Sequence, residues 1–229
     1  MRAVNPAVAA LCISLMSGTA WAATISYTGS LPQSETDLAE SLAFTRFNPT
    51  LGTLTAVSFT LAGEAHGDYG VENRNRNARD ITVTLSVTLS LMRPDATPLV
   101  ISIPQTVSLL GLAAYDQATD FAGGSGASGV LQASRSESAT TSAASDLALF
   151  TGLGTIFLPI AAEGNSRVEA GGNVSSYIDT SAAAQVTVTY TYTAPRPIVT
   201  RPTPVSEPAG LALLGAGLLG LRLARRRRG

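Results

Sequence analysis

Apolar and hydroxylated residues alternate without a break over residues 81–91, ITVTLSVTLSL. Side chains of a β-strand point alternately to opposite faces, so this stretch predicts a long strand with one buried face and one solvated face of Thr and Ser. Residues 185–193, QVTVTYTYT, repeat the pattern. Four of their side chains are predicted to face inward: Val186, Val188, Tyr190 and Tyr192.

Shorter alternating segments complete the pattern, at residues 24–28, 56–62, 99–103 and 155–160. Turn-forming sequences separate them: NPTLG, RPDATP, GGSGASG, GLG and AGGN. Many short strands punctuated by Gly and Pro predict an all-β fold, an antiparallel β-sandwich or a jelly-roll-like domain. The Thr and Ser rows are interpreted as an ordinary exposed sheet face, because Thr is a good strand former; contact with sugar or ice is the alternative.

Several segments are predicted to lie outside the strands. Residues 34–44 could hold a helical turn, and residues 123–129 and 137–146 have the low hydrophobicity of mobile loops. Residues 64–80 are interpreted as a polar, solvated loop. The proline-rich residues 195–204 favour an extended, semi-rigid linker.

The amino terminus has the parts of a secretory signal peptide. Arg2 supplies a positive charge, an apolar core follows, and Ala20 and Ala22 are small residues at the positions that a signal peptidase reads. Cleavage is predicted before Ala23, which removes residues 1–22 with their N-terminal helix. The alternative is a buried N-terminal helix of the folded domain, which the cleavage site disfavours.

Removal of the signal also removes the only cysteine, Cys12. Leu11 precedes it where a lipoprotein box needs a small residue, so attachment of lipid is not expected. The mature chain is therefore predicted to lack disulfides, thiolate metal sites and a cysteine nucleophile.

The net charge of −1 conceals an asymmetry along the chain. Residues 23–194 carry seven arginines and fifteen acidic residues, a net of −8, whereas residues 195–229 carry +6. An acidic domain repels phosphates, so nucleic-acid binding is not expected. About 170 mature residues are enough for one domain with a core of its own.

The candidate chemistry of the chain lies mainly in residues 64–80. His66 is the only histidine, and general acid–base catalysis would need a nucleophile or carboxylate beside it. A solvated loop histidine is the expected state, with hydrolysis as a minor alternative. Oxygen ligands for calcium are also present, without EF-hand spacing and interleaved with arginines. These residues are Asp68, Glu72, Asn73, Asn75, Asn77 and Asp80.

Other motifs in the chain are incomplete. GGSGA at residues 123–127 falls short of a nucleophile elbow and has no histidine after it. GAGLLG at residues 215–220 matches a dinucleotide fingerprint without the surrounding βαβ unit. Asn173 begins a formal glycosylation sequon, with no indication of its use. The sequence therefore predicts no catalytic, cofactor or metal residues, and no enzymatic activity.

The last 25 residues, VSEPAGLALLGAGLLGLRLARRRRG, resemble the PEP-CTERM sorting signals of exported bacterial proteins. In that family a Pro-Glu-Pro motif precedes a short apolar helix and an arginine cluster. Here the motif comprises Val205, Ser206, Glu207, Pro208 and Ala209, with Ser206 where the first proline is usual. The resemblance implies cleavage by an exosortase after transient residence in the inner membrane. It also implies association with exopolysaccharide or biofilm at the surface, or in the extracellular matrix, of a Gram-negative bacterium.

The length of the apolar run is compatible with such processing. Residues 209–221 would span roughly 20 Å as a helix, against a hydrocarbon core of about 30 Å. The arginines that follow would hold the end in the cytoplasm by the positive-inside bias: Arg225, Arg226, Arg227 and Arg228. A permanent single-pass membrane anchor is the alternative.

Four stretches of the domain resemble the choice-of-anchor group of β-rich surface domains, type E in particular. They lie at residues 47–63, 81–91, 146–164 and 186–193. The predicted organisation is therefore a signal peptide (1–22), a β-sandwich surface domain (23–194), a linker (195–204) and a sorting signal (205–229). The expected function is that of an exported, non-enzymatic surface or matrix protein. A carbohydrate-binding module is the second hypothesis, and it would need exposed aromatic side chains.

Overall fold

A computed structural model describes residues 22–195 of the chain. The predicted signal helix, proline-rich linker and C-terminal transmembrane helix lie outside the described residues, apart from Ala22 and Pro195 at the two limits. Within residues 22–195 there are ten strands and one α-helix. They are β1 (Ala22–Glu35), β2 (Leu38–Thr45), β3 (Thr53–Asn73), β4 (Arg79–Met92), β5 (Pro98–Ser102), β6 (Gln105–Leu112), β7 (Gly126–Thr141), α1 (Ala144–Phe150), β8 (Thr155–Gly164), β9 (Arg167–Ala170) and β10 (Val174–Thr193).

The strands form two antiparallel sheets that pack as a β-sandwich, which confirms the all-β, antiparallel prediction. The first sheet has the order β1-β10-β3-β7. In the second, the order is β2-β8-β4-β5, and the first half of β4 pairs with β6 and β9 instead. β8 and β9 lie one after the other along one side of β4, and β5 and β6 lie one after the other along its other side. Both sheets are therefore four strands wide at their widest.

The core lies between the sheets and is built from the apolar positions of the alternating strands. Val186, Val188 and Tyr190 are fully buried, as the pattern in residues 185–193 predicts, and Tyr192 is partly buried. Tyr190 donates a hydrogen bond of 2.9 Å from its hydroxyl to the carbonyl oxygen of Thr45. Burial of this phenol raises its pKa, and the nearby Tyr27 adds a smaller effect in the same direction.

The two sheets approach closely where β3 faces β4, because β3 carries glycine on its inner face there. A Cβ atom built on Gly63 would lie 2.3 Å from Cδ1 of Leu89, and one on Gly67 would lie 2.7 Å from Cδ1 of Leu85. The leucines of β4 thus fill the space that side chains on β3 would occupy.

The helix α1 is held to the second sheet by an ion pair. Arg93 donates from Nε to one carboxylate oxygen of Asp146 at 3.0 Å and from Nη2 to the other at 2.9 Å. Thr141 donates to the same carboxylate at 2.7 Å. The hydrogen bond from Arg93, then that from Thr141, lowers the pKa of Asp146.

The prediction that the hydroxylated face of residues 81–91 is solvated is wrong in its middle. Thr84 and Ser86 are buried. The reason is that β4 is a central strand with neighbours on both sides, so adjacent side chains cover this face. In register with Thr84 lie Val107 on β6 and Arg167 on β9. The amide of Ser86 donates to Oγ of Ser166.

The prediction of a solvated loop at residues 64–80 is wrong for most of its length. β3 continues to Asn73, with β10 on one side and β7 on the other. Its inner face holds Ala65, Gly67, Tyr69 and Val71. The strand therefore alternates, but Ala and Gly are too small to give a recognisable apolar pattern in the sequence. Only the stretch from Arg74 to Ala78 connects β3 to β4.

Three smaller predictions are corrected as well. Residues 34–44 contain no helical turn, because β1 ends at Glu35 and β2 begins at Leu38. Most of residues 123–129 and the first half of residues 137–146 belong to β7 or its approach rather than to mobile loops. This strand lies at a sheet edge, its serines all face outward, and its inward positions are mostly small or charged, which hides its pairing with β3 from the sequence. Within the described residues no helix has the length and apolarity that a membrane crossing requires.

Candidate functional site

The outer face of the β1-β10-β3-β7 sheet carries rows of hydroxyl groups. Alternation places Thr and Ser on this face of all four strands, and the antiparallel register aligns them. The first row contains Ser26, Thr189, Ser58 and Thr140, and the second contains Thr28, Thr187, Thr60 and Ser138. We call these eight residues the hydroxyl face.

Neighbouring hydroxyls of this face bond to each other in pairs. Ser26 and Thr189 are 2.8 Å apart, Ser58 and Thr140 are 2.8 Å apart, and Thr60 and Ser138 are 2.9 Å apart. Each Ser or Thr hydroxyl has one donor and two acceptor lone pairs, so each pair keeps acceptors and a donor for solvent or a ligand. The result is an uncharged, hydrogen-bonding surface.

A different surface lies further along the same face, around Tyr177 on β10. This side chain is 42% exposed. Its ring lies across Gly70 of β3, where a Cβ atom would meet the ring at 2.3 Å. Phe121 packs edge-on against it, with ring centroids 5.2 Å apart and an interplanar angle of 87°. We call Tyr177, Phe121 and the carboxylates beside them the distal patch.

Phe121 reaches Tyr177 because the segment between β6 and β7 folds over the end of the sheet. Its backbone has φ of 56°, an uncommon conformation for a bulky residue. The amide of Phe121 donates to Oε2 of Glu72 at 3.0 Å, and Glu72 is fully buried. The other oxygen, Oε1, has no hydrogen-bond partner among the described residues. A buried carboxylate therefore fixes the position of the segment that carries Phe121.

The carboxylates of the distal patch are Asp68 and Asp179, which are directly opposite in the register of β3 and β10. Beside them, β1 leaves the sheet at Glu35 and opens a groove of about 410 Å³. Its lining is polar apart from one side chain and comprises Glu35, Thr36, Asp68, Ile178, Asp179, Thr180 and Ser181. The combination of an exposed ring with adjacent acceptor groups could hold the apolar face and the hydroxyls of a sugar.

His66 lies on the outer face of β3 between the hydroxyl face and the distal patch. Ser181 and Gln132 are its register neighbours on β10 and β7. Its Nε2 is 3.9 Å from Oε2 of Glu64, which is too long for a hydrogen bond. Within residues 22–195 the structure gives its ring no hydrogen bond, so it does not bring a nucleophile and a base together.

The candidate calcium ligands are dispersed by the strand structure. Asp68 faces outward, Glu72 is buried, and Asn73 donates its amide to the carbonyl oxygens of Asn77 and Ala113. Asn75 donates to Oδ1 of Asn73. Among residues 22–195 no three His, Cys, Asp or Glu side chains gather in a way that could hold a metal ion. These asparagines instead join the segments at one end of the sandwich.

The predicted processing residues fall mostly outside the described part of the chain. Ala20, the sorting motif and the four terminal arginines lie there. Ala22 and Ala23 are the first two residues of β1 and pair with Thr193 and Tyr192. Asn173 is exposed, and its backbone N–H donates to Oδ1 of Asn75 at 3.0 Å.

Tyr177 is not among the functional residues predicted from the sequence. Its signal was the alternation of Tyr177, Asp179 and Ser181, which places them on one face of an extended strand. Phe121 could not have been found in this way, because its contact with Tyr177 depends on the path of the segment from Ala113 to Ser125.

No protein-family model and no curated protein sequence matches the chain. Among solved structures, it is similar to the structure of the infectious bursal disease virus Gx strain, at 14% identity over 85% of this chain and 41% of that one, with a TM-score of 0.17. The crystal structure of the T13 particle of the same virus matches at 13% identity over 98% of this chain and 52% of that one, with a TM-score of 0.18. The chain thus spans about half or less of these structures, and such TM-scores support no argument about function.

Proposed function

We propose that this chain is an exported, non-enzymatic surface or matrix protein that is sorted through its C-terminal signal by an exosortase. The observation that carries the proposal is the pairing of β1 with β10, which places Ala22 beside Thr193. The predicted signal cleavage site and the start of the predicted linker therefore lie at the same end of the domain. Tyr177 lies sixteen residues back along β10, about 50 Å away at 3.3 Å per residue.

This arrangement suits a tethered surface domain. A tail that holds Thr193 near the membrane during export presents the opposite end, with the distal patch, to the surroundings. Signal peptidase and exosortase are the proposed partners during export, and the extracellular polymer is the proposed environment afterwards. The finer fold assignment that we propose is a jelly roll, since the strand orders of the two sheets are those of two interleaved Greek keys.

The sorting proposal is tested with the full chain in a host that encodes an exosortase. The measurement is the mass and cellular location of the C-terminus, with and without the exosortase. Cleavage that requires the enzyme is expected. Glu207→Ala and Pro208→Ala should reduce it, because they alter the motif, whereas Thr203→Ala in the linker should not. An uncut product in the inner membrane of both strains would show that the tail is a plain anchor.

The distal patch favours a second candidate function, binding of polysaccharide at the cell surface. Tyr177 is an exposed aromatic side chain of the kind that such a module needs, and it lies beside two carboxylates. The carboxylates would accept hydrogen bonds from neutral sugars and repel uronic acids. Tyr177→Ala should therefore abolish retention on a neutral polysaccharide. Phe157→Ala is the matched control, because Phe157 is an exposed aromatic residue on the other sheet. Equal retention of both variants and the parent would exclude this role for Tyr177.

A further inference from the structure

β6 forms the free edge of the second sheet without the features that usually protect such an edge. Exposed edges are normally blunted by bulges, prolines or inward-pointing charges. β1 has a bulge after Leu31 and a proline at position 32. β7 carries Arg135 and Glu137 at inward positions, and β2 carries Glu40 in register with the buried Ile160. β6, with the sequence QTVSLLGL, has no charge, no proline and no register shift against β4.

The free backbone groups of this edge can be assigned from one hydrogen bond. The amide of Val87 donates to the carbonyl oxygen of Pro104 at 3.2 Å. In an antiparallel pair, hydrogen-bonded and non-bonded residues alternate, so the even-numbered residues of β6 direct their N–H and C=O groups towards β4. Val107 and Leu109 direct theirs away from it. Among residues 22–195 only β4 pairs with β6.

The same residues also present apolar side chains. Val107 is 55% exposed and Leu109 is 71% exposed. Ile101 on β5 and Ile103 directly after it extend the stripe, because the register against β4 is the same on both sides of Pro104. The missing N–H of Pro104 is on the β4 side and does not interrupt the free edge.

We propose that β6 pairs edge to edge with β6 of a second copy of this chain, which joins two sheets into one. Another extended backbone can replace water on the free N–H and C=O groups, and the apolar stripe disfavours a charged partner strand. Two copies of a domain with a net charge of −8 repel each other over most of their surfaces. Residues 100–112 contain no charged residue, so a second copy can approach there with least repulsion. Two-fold contact of the same strand is the self-complementary arrangement expected of a dimer. This proposal does not depend on the sorting of the tail.

The test is site-specific cross-linking of the full chain, which has no cysteine after the signal. Val107→Cys and Val130→Cys are matched variants: Val130 is 59% exposed and also lies on an edge strand, β7. A bismaleimide reaches diagonal cross-strand neighbours, about 7–8 Å apart, so the result does not require one register. We expect a product of twice the subunit mass from Val107→Cys and little from Val130→Cys.

A second substitution tests the edge itself. Leu109→Lys placed in the Val107→Cys chain should reduce the cross-linked product at least tenfold, because it adds charge to both copies at the contact. Leu153→Lys is the control, since Leu153 is 78% exposed and lies in a turn. Sedimentation velocity of the parent chain should show a dimer that Leu109→Lys dissociates. Equal cross-linking at the two valines, a cross-linked partner of another mass, or a monomeric parent would overturn the proposal.

Discussion

The close approach of β3 and β4 makes a quantitative prediction about Gly63. Replacing Gly63 with Ala places a methyl group 2.3 Å from Cδ1 of Leu89, which is fully buried and has little room to move. Overpacking of this kind costs about 1–3 kcal/mol. Ala is favoured over Gly in a strand interior by about 0.5–1 kcal/mol, which offsets part of the cost. We therefore expect a net loss of about 1–2 kcal/mol in the free energy of unfolding.

A double-mutant cycle isolates the contact. Leu89→Ala alone should cost about 2–5 kcal/mol, because it removes buried methyl groups and leaves a cavity. The methyl group that Gly63→Ala adds would occupy part of that cavity, so the double variant should be more stable than the sum of the single effects by about 0.5 kcal/mol or more. The assay is urea unfolding followed by circular dichroism, with thermal unfolding as a check at about 2–4 °C per kcal/mol for a domain of this size.

Gly111→Ala is the control for this cycle. A Cβ atom there would meet only Oδ1 of Asp80, at 3.6 Å, so the substitution should be neutral or slightly stabilising. Its effect should add to that of Leu89→Ala. Additive behaviour of Gly63→Ala and Leu89→Ala, within about 0.5 kcal/mol, would refute the proposed sheet-to-sheet contact.

Three further substitutions have defined outcomes. Asp146→Asn should lower the free energy of unfolding by only about 1 kcal/mol at pH 7, because the ion pair with Arg93 is partly exposed. The pKa of Asp146 is lowered in the folded state, so the parent should lose this stability as the pH falls below about 4. The difference between parent and variant in urea titrations should therefore shrink there. Tyr190→Phe should cost about 0.5–1.5 kcal/mol in the same assay, because it removes the hydrogen bond from the buried phenol to the carbonyl oxygen of Thr45. Tyr27→Phe removes no hydrogen bond within residues 22–195 and should change stability little. Gly52→Ala should lower the melting temperature by several degrees, because φ is 145° and a Cβ atom would meet the carbonyl oxygen of Thr193 at 2.1 Å; an unchanged melting temperature would contradict this reading of the turn.

The sequence predicted those strands whose inward residues are large and apolar. β4 and the second half of β10 have Ile, Val, Leu or Tyr at every second position, which is the signal that alternation provides. β3 beyond Leu61 has the same period, but Gly63, Ala65 and Gly67 are small because the other sheet fills that space. The size of an inward residue thus reflects the distance to the opposite sheet, which a single sequence does not reveal.

The candidate surfaces were only partly accessible to sequence reasoning for a similar reason. Each Thr and Ser of the hydroxyl face could be assigned to a strand, but their alignment in rows depends on the order β1-β10-β3-β7. Tyr177 and Asp68 are more than one hundred residues apart and become neighbours through the same pairing. The buried state of Glu72 depends on a segment that follows β6. None of these relations has a local signature.

The central position of β10 in its sheet has a mechanical consequence. A tether attached after Thr193 would pull this strand along its own axis. β10 has twenty register pairs with β3 and twelve with β1. The hydrogen bonds of these pairs are perpendicular to the pulling direction, so they share the load instead of opening one after another. A strand at a sheet edge that was pulled sideways would unzip at a much lower force. β10 therefore ends the described domain as a strand that is paired on both sides and resists extraction along its axis.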